Sequence, residues 1–298
     1  MSQKKQGIIL IIMAGFFFSI MTLCVRASGD LPTIQKAFFR NAVAAVIASV
    51  TLFRSKEGFR IKKSSFGDLF ARCFCGTLGL ICNFYAIDKI GLADANILNK
   101  LSPFFAIIFS IFILKEKANK VEWLCVITAF AGALFVIKPT GNMNMVYSLI
   151  GALGGLGAGI AYTFVRKLGK KGERGPIIVF CFSMFSCITI LPFLIMSYKP
   201  MTVVQTLILI GAGLGAAGGQ FTITAAYTKA PAKEISVYDY TQILFAAMWG
   251  FIFYEELPDW LSITGYVIII GSAIYKWYYV QKKMLKRHHN PFVEKYLE

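Results

Sequence analysis

The 298-residue chain has few of the residues that carry out catalysis or bind metals. Its only two histidines, His288 and His289, lie in a basic C-terminal segment. It contains no P-loop and no G-x-S-x-G sequence, and its seven cysteines lie in or beside apolar stretches without a metal-binding spacing. We therefore expect no enzymatic activity, no ATP hydrolysis within this chain, no metal site and no cofactor.

Charged residues are also scarce, and acidic residues are the scarcest. The chain has 15 Asp and Glu against 31 Lys and Arg, together 15% of all residues, whereas 57% are hydrophobic. Average soluble domains are about a quarter charged. Apolar runs of about 18 or more residues recur, each long enough to cross about 30 Å of hydrocarbon as a helix, and the alternation of an outer-membrane barrel is missing. These features predict an all-α polytopic membrane protein in a lipid bilayer.

Charged or turn-rich breaks divide the apolar sequence into ten predicted transmembrane helices. They cover residues 7–25, 33–53, 69–87, 94–114, 121–137, 147–165, 176–196, 203–226, 235–254 and 260–279. Ten spans place both termini on one side, and the segments on that side hold 22 Lys and Arg against five on the other. Because cytoplasmic loops accumulate Lys and Arg, we expect cytoplasmic termini in a cytoplasmic (inner) membrane. The same rule explains the net charge of +16 without a nucleic-acid partner.

The two halves of the chain resemble each other at a shift of 140 residues. Residues 86–116 then align with residues 226–256 without a gap, and the identical pairs are Ala86/Ala226, Lys89/Lys229, Phe105/Phe245, Ala106/Ala246 and Glu116/Glu256. We predict a five-helix repeat over residues 1–140, a second over residues 141–280, and a basic cytoplasmic tail over residues 281–298. An odd number of spans makes the second repeat inverted. Inverted repeats are typical of secondary transporters, although repeats also occur in membrane proteins that do not transport.

Several segments of the chain resemble the drug/metabolite transporter superfamily, specifically its EamA-type members. They are AIDKIGLADANILNKLSPFFAIIFSIFILKEK, AYTKAPAKEISVYDYTQILFAAMWGFIFYEE, the W…G pattern of WLCVITAFAG and WLSITGYVIIIG, and Arg40 in FFRNAVAAV. The expected proline is present in the first copy as Pro103, whereas the second copy has Ile243. The resemblance implies a ten-helix permease with a central cavity and peripheral fifth and tenth spans, moving small metabolites by alternating access.

Three ionisable residues are predicted inside the membrane, where such groups usually face a cavity or a partner. We expect Lys100 and Arg40 in the outer half and Asp239 in the inner half. In the functional interpretation, the two cations attract an anionic group of the substrate and Asp239 carries a coupling proton. Alternatively, Lys100 extends to the outer surface, Arg40 bonds backbone carbonyls at a helix end, and Asp239 pairs with Lys229 or Lys233.

Neutral polar residues inside the predicted spans are further candidates for substrate binding. They are Asn83, Asn96, Asn99, Tyr162, Gln220, Tyr240 and Gln242. Asn96 and Asn99 accompany Lys100 in the fourth span, and Tyr240 and Gln242 occupy the corresponding part of the ninth. The alternative role for such residues is interhelical hydrogen bonding.

Proline and glycine indicate where the helices bend or approach each other. Pro103 is expected to bend the fourth span and to free a backbone carbonyl beside a cavity. Two spans carry glycines at four-residue spacing, which allows close backbone approach; these are Gly151, Gly155 and Gly159, and Gly211, Gly215 and Gly219. Such faces serve either as sliding surfaces for gating or as static packing.

These observations together predict a secondary-active transporter that moves a small metabolite by alternating access through a central cavity. The two intramembrane cations favour an amino acid or an organic anion as substrate, with a proton or cation as a possible coupling ion. A passive channel and a polytopic membrane protein without transport activity are the alternatives. The sequence does not indicate the oligomeric state, the direction of transport or the identity of the substrate.

Overall fold

The computed structural model describes residues 2–90, 92–138 and 145–288, which form helices, turns and no β-strand. The α-helices are α1 (Gln3–Ala27), α2 (Thr33–Phe53), α3 (Phe66–Ile90), α4 (Leu92–Asn99), α5 (Ser102–Leu114), α6 (Lys120–Ile137), α7 (Met145–Lys170), α8 (Gly175–Ser197), α9 (Val203–Lys229), α10 (Ala232–Ile235), α11 (Thr241–Tyr254) and α12 (Trp260–His288). Short 3-10 helices cover Lys63–Ser65 and Ser236–Tyr240. The predicted all-α class is confirmed.

Eight helical segments of the described chain are long and apolar enough to cross a membrane. They are Gln3–Ala27, Thr33–Phe53, Lys63–Ile90, Ala95–Leu114, Lys120–Ile137, Met145–Lys170, Gly175–Ser197 and Val203–Lys229. Each coincides with one of the first eight predicted spans. Several are longer than predicted, because charged residues at their ends continue the helix beyond the apolar run. The ninth and tenth predicted spans are also helical, but the ninth is interrupted and the tenth carries Lys276 within it.

Two predicted features fall partly outside the described residues. The boundary between the predicted repeats lies in residues 139–144, and residues 289–298 of the predicted tail, including His289, are likewise outside. Residues 281–288 of that tail continue α12 as helix rather than forming a separate segment.

Charged loops gather at two ends of the bundle. One end, here called the basic end, contains residues 2–6, 54–65, 115–119, 166–174 and 229–235. There Lys4 pairs with Glu234 at 2.7 Å, and the ammonium of Lys62 donates to the carbonyl of Lys171 at 3.0 Å. The other end, here called the far end, contains residues 26–33, 138, 197–205 and 254–260.

At the core of the bundle, helices from one half of the chain pack against helices from the other half. The most extensive interfaces join α1 to α9 and α3 to α7, and α1 also packs against α11 as α7 does against α5. Glycines permit these approaches: a Cβ at Gly155 would lie 2.6 Å from the carbonyl oxygen of Leu98, and one at Gly215 would lie 2.9 Å from the backbone nitrogen of Met21. Gly211 differs, since its nearest neighbour would be at an ordinary 3.5 Å.

Two helical stretches are broken near their middles, and the breaks position the site. The first ends at Asn99 and restarts at Ser102, so Pro103 lies in the first turn of α5, where a missing N–H leaves no bond unmade. The regular α-helix is therefore interrupted at Lys100 and Leu101, before the proline and not at it. The second stretch is interrupted by the 3-10 helix Ser236–Tyr240, although it has Ile243 where the first stretch has Pro103.

Candidate functional site

A polar cavity of about 150 Å³ lies where the two broken stretches meet. Helices α2, α3, α7, α8 and α9 supply its remaining walls together with α1. Nine of the residues predicted to bind substrate or to couple transport line this cavity: Arg40, Asn83, Asn96, Asn99, Lys100, Tyr162, Gln220, Asp239 and Gln242. The breaks thus bring together residues that the sequence places in six different helical stretches.

Lys100 and Asp239 form an ion pair at the cavity wall. The ammonium Nζ lies 2.9 Å from Asp239 Oδ2 and also donates to Gln242 Oε1 at 2.8 Å. Both side chains are nearly buried, with 12% and 10% of their surface exposed. The sequence did not predict that these two charges, expected in opposite halves of the membrane, form a pair.

The lengths of the two helical stretches allow the pair to form near the middle of a membrane. Helix α4 begins at Leu92 and rises about 12 Å before its break, while residues 232–239 rise about 14 Å from the basic end. These two rises and a lysine side chain of about 6 Å together span about 30 Å of hydrocarbon, so the Lys100 ammonium can reach the Asp239 carboxylate. The sequence-based depths were too small because both helical stretches start before the apolar runs do.

Two alternative roles considered for these charges are also contradicted. Lys100 turns toward Asp239 and does not extend to the surface. Asp239 does not pair with the two lysines at the basic end, because Lys229 donates to Gln6 Oε1 at 2.7 Å and Lys233 donates to the carbonyl of Lys117 at 2.6 Å. The ion pair consequently belongs to the cavity and not to either membrane surface.

Tyr240 is the one predicted binding residue that lies behind the cavity wall. Its side chain is fully buried, and its hydroxyl donates to the carbonyl of Lys100 at 3.0 Å. A break in a helix leaves carbonyls without an intrahelical donor. Tyr240 therefore satisfies the backbone at the first break and stabilises the position of Lys100.

Two arginines complete the charged lining. Arg40 on α2 was predicted, and it makes no hydrogen bond to a carbonyl at a helix end in the described part of the chain, contrary to the structural alternative. Arg72 on α3 was not predicted, although it is only 2% exposed and faces the same cavity. Its position four residues into the third predicted span was the available signal, because an arginine inside an apolar run is rarely without function.

Cations outnumber carboxylates in the cavity. Three cationic side chains line it, those of Arg40, Arg72 and Lys100, against the single carboxylate of Asp239 among the described residues. With Lys100 and Asp239 paired, the remaining lining carries a formal charge of +2. The cavity therefore favours an anionic ligand.

A larger and mostly apolar cavity of about 790 Å³ adjoins the polar one on the side of the far end. It lies between α1, α6, α11 and α12, and it shares Thr22 and Asn96 with the polar cavity. Trp249 and Tyr254 on α11 form part of its wall, and Arg26 and Glu256 lie beside them. The polar cavity is thus flanked by open space toward the far end.

Comparison with known proteins places the chain among membrane transporters. The model of the EamA-like transporter family matches residues 5–138 and again residues 146–276. The pseudopaline exporter CntI of Pseudomonas aeruginosa (strain UCBPP-PA14) is 33% identical over 91% of this chain and 95% of its own length. Human solute carrier family 35 member G1 is 27% identical over 93% of this chain and 81% of its length.

Two more distant matches agree in length and fold. The riboflavin transporter of Vibrio cholerae is 24% identical over 91% of this chain and 92% of its own. A solved crystal structure superposes with a TM-score of 0.78 at 14% identity, covering 90% of this chain and 95% of the other. The likeness to that structure concerns the fold alone.

Proposed function

The chain belongs to the EamA-like transporter family of the drug/metabolite transporter superfamily, and we propose that it is a secondary-active transporter of a small anionic metabolite, such as an organic anion or an acidic amino acid. The observation that carries the proposal is the polar cavity, in which three cations and one carboxylate meet at two helix breaks. Ionisable groups inside a membrane protein usually mark the path of a substrate or an ion.

The residues of the cavity take distinct roles in this proposal. Lys100 and Arg40 attract the anionic group of the substrate, and the amides of the lining bind its neutral polar groups; these are Asn83, Asn96, Asn99, Gln220 and Gln242. Tyr162 forms an apolar wall, since its ring stacks on that of Tyr227 at 4.8 Å. Asp239 carries the coupling proton: when it is protonated, Lys100 loses its counter-ion and becomes free to bind the substrate.

We further propose that the chain crosses the membrane ten times as two inverted five-helix repeats. Three observations support this architecture. The family model matches the chain twice, helices of one half pack along corresponding helices of the other, and charged loops alternate between the two ends along the chain. Two related halves with a shared central cavity are suited to alternating access.

The distribution of Lys and Arg supports an orientation in the membrane, and a related protein supports a direction of transport. Because the basic end holds most of the loop Lys and Arg, we propose that it faces the cytoplasm, with both termini inside a cytoplasmic (inner) membrane. The 33% identical relative is named as an exporter, which favours export as the direction here. Transport from the cytoplasmic side in inside-out vesicles would test both points.

A proteoliposome counterflow experiment tests the proposed function. Purified protein is reconstituted with a panel of unlabelled organic anions and acidic amino acids inside, and entry of the labelled compound is followed. A carrier gives saturable, trans-stimulated exchange, whereas a channel gives flux that does not saturate and is not stimulated from the opposite side.

Matched variants make the counterflow experiment specific to the cavity. Lys100→Ala should abolish exchange while leaving expression and monodispersity intact. Lys56→Ala removes an exposed lysine from a loop at the basic end and should leave exchange unchanged. Normal exchange by Lys100→Ala would remove Lys100 from the transport site.

A further inference from the structure

Arg72 and Arg40 face the polar cavity without an anionic partner in the described part of the chain. We propose that they form a subsite for the anionic groups of a doubly charged substrate, such as a dicarboxylate or a phosphate ester. This inference rests on the proposed transport function and specifies the charge of the substrate. It also assigns a binding role to Arg72, which no sequence motif indicated.

Among the described residues, none around Arg72 neutralises its charge. One terminal nitrogen donates to Gln220 Oε1 at 3.4 Å, and the guanidinium carbon lies 4.0 Å above the ring centre of Phe182. The Nε atom is buried without a hydrogen-bond partner. A neutral amide and a ring face orient the guanidinium, but they leave its charge and part of its donor capacity unused.

The backbone of α3 leaves space for this orientation. Gly76 lies one helical turn after Arg72, and both residues line the cavity. A Cβ at Gly76 would overlap the Arg72 guanidinium and would lie 2.9 Å from the ring of Phe182. The missing side chain therefore leaves room for the guanidinium between the helix and the Phe182 ring, beside the cavity.

Arg40 has even fewer contacts. Its Nε is buried without a hydrogen-bond partner, and its side chain makes no ion pair with any described carboxylate. Asp239, the one carboxylate among the described lining residues, is already paired with Lys100. An uncompensated charge away from bulk water is strongly unfavourable, so two such charges at one small cavity indicate that a ligand supplies the counter-charges. Guanidinium groups bind carboxylates and phosphates through paired hydrogen bonds.

Ligand-dependent thermal unfolding of the purified full-length protein tests this inference. The probes are sodium succinate, its monoamide succinamate and sodium sulfate, each compared with sodium chloride at equal ionic strength. Succinate and succinamate have nearly the same shape but differ by one charge. A ligand that binds the folded state raises the unfolding temperature in a saturable manner, and we expect at least one dianion to do so at concentrations where succinamate has no effect.

Arginine variants then assign the effect to the two guanidinium groups. Arg72→Gln and Arg40→Gln should each weaken the apparent affinity for the dianion at least tenfold, measured against the ligand-free variant. Arg72→Lys keeps the charge and should retain part of the response. Arg54→Gln removes an exposed arginine at the end of the same helix as Arg40 and should behave like the wild type.

Two results would overturn the proposal. One is an equal response to succinate, sulfate and succinamate, or no response beyond that to chloride; the other is an unchanged dianion response in both glutamine variants. Counterflow of a singly charged metabolite combined with either result would leave the transport function standing and refute only the two-anion subsite.

A second, independent observation concerns two ion pairs that correspond at the 140-residue shift. Arg26 pairs with Glu256 at 2.7 Å at the far end, and Arg166 pairs with Glu116 at 3.3 Å at the basic end. Arg26 corresponds to Arg166, and Glu116 to Glu256. Each pair therefore joins one half of the chain to the other.

The local backbone around the two glutamates is also the same. Lys115 and Glu255 both adopt left-handed conformations, with φ of 58° and 55°. The N–H of Glu116 donates to the carbonyl of Ser110 at 3.1 Å, and that of Glu256 donates to the carbonyl of Gly250 at 3.3 Å. This agreement shows that the two contacts are equivalent in the fold.

The two pairs differ in strength. Arg166 and Glu116 are 15% and 13% exposed, and Lys170 reinforces the pair at 2.6 Å from Glu116. Arg26 and Glu256 are 45% and 53% exposed and lie beside the large apolar cavity. We infer that each pair is a latch, meaning an ion pair that holds the two halves of the chain together at one end of the bundle, and that the two latches open in alternation. In this state the basic-end latch holds its end firmly closed, and the far-end latch is weaker.

Hydrogen–deuterium exchange of the reconstituted protein tests the latches separately. Arg166→Gln should speed amide exchange several-fold in residues 110–120 and 229–235, whereas Arg26→Gln should do so in residues 250–260. Arg166→Lys keeps the charge beside Glu116 and should retain most of the slow exchange at the basic end. Equal acceleration at both ends by either glutamine variant, or equal acceleration by Arg166→Lys and Arg166→Gln, would refute the assignment.

Discussion

The ion pair between Lys100 and Asp239 gives the sharpest prediction about the cavity. Asp239→Asn keeps the shape of the side chain but removes its charge. Removing one partner of a fully buried pair costs about 3–5 kcal/mol. Here both side chains are about one-tenth exposed to the cavity, and the ammonium keeps its bonds to Gln242 and to the backbone carbonyl at position 239. We therefore expect a loss of about 1–3 kcal/mol in unfolding free energy.

A double-mutant cycle isolates the interaction within that loss. The unfolding free energies of the wild type, Lys100→Gln, Asp239→Asn and the double variant are compared under one set of conditions. Residues in direct contact show coupling energies of about 0.5–3 kcal/mol. A coupling at the upper part of this range would agree with the 2.9 Å contact, whereas a coupling below about 0.5 kcal/mol would refute the ion pair as the stabilising contact.

Transport by the same variants separates substrate binding from coupling. Lys100→Gln should lose counterflow and uphill transport together, because it removes a substrate-binding charge. Asp239→Asn should retain counterflow, which needs no net ion movement, but lose accumulation driven by a proton gradient. The opposite pattern, in which Asp239→Asn accumulates substrate normally under a gradient, would remove Asp239 from coupling.

Three further predictions concern residues around the site and at its periphery. Gly155→Ala should destabilise the fold by about 1–3 kcal/mol, because its Cβ would meet a carbonyl oxygen of α4 at 2.6 Å, whereas Gly271→Ala has open space and should be neutral or stabilising in the same thermal unfolding assay. Tyr240→Phe should cost about 1–2 kcal/mol in a denaturant titration by leaving the carbonyl of Lys100 unpaired. Hydrogen bonds from a lysine and a backbone N–H lower the pKa of Asp259 to about 2. The contribution of Asp259 to stability is therefore fully present above its unfolded pKa and is lost only as the pH falls toward 2. Asp259→Asn and the wild type should differ in unfolding free energy by the same amount at pH 5 and pH 8.

Much of the fold could be predicted from sequence because membrane insertion depends on local properties of the chain. A run of about 20 apolar residues in a membrane forms a helix, because the helix satisfies the backbone hydrogen bonds within the run itself. Eight of the predicted runs correspond to helices that are long and apolar enough to cross a membrane. The positions of most cavity residues were also predictable, because polar side chains inside such runs are costly unless they face a cavity or a partner.

Contacts between distant helices could not be predicted in the same way. The pairing of Lys100 with Asp239 was not predicted, because it depends on where two distant helical stretches start and on how they meet. Arg72 lies inside the third predicted span and was not singled out, and its hydrogen-bond partner Gln220 lies on α9. Lys276 lies within the tenth predicted span and was not singled out either, yet it is 1% exposed and lies 3.4 Å from Glu122. In each case the deciding factor is a neighbour far away in sequence.

The contact between Tyr240 and Lys100 links the proposed repeats to the chemistry of the site. These residues occupy equivalent positions at the 140-residue shift, and the Tyr240 hydroxyl donates to the Lys100 carbonyl. In a structure with two related halves, equivalent residues can touch only near the axis that relates them. The proposed axis therefore passes near the two breaks. At that point the two copies differ in side chain, with Asn99 and Lys100 in one and Asp239 and Tyr240 in the other, so a symmetric framework carries one ammonium and one carboxylate side by side. Restoring the symmetry with Asp239→Asn leaves the helix breaks intact and removes only the charge, which is why that substitution separates the framework from the coupling.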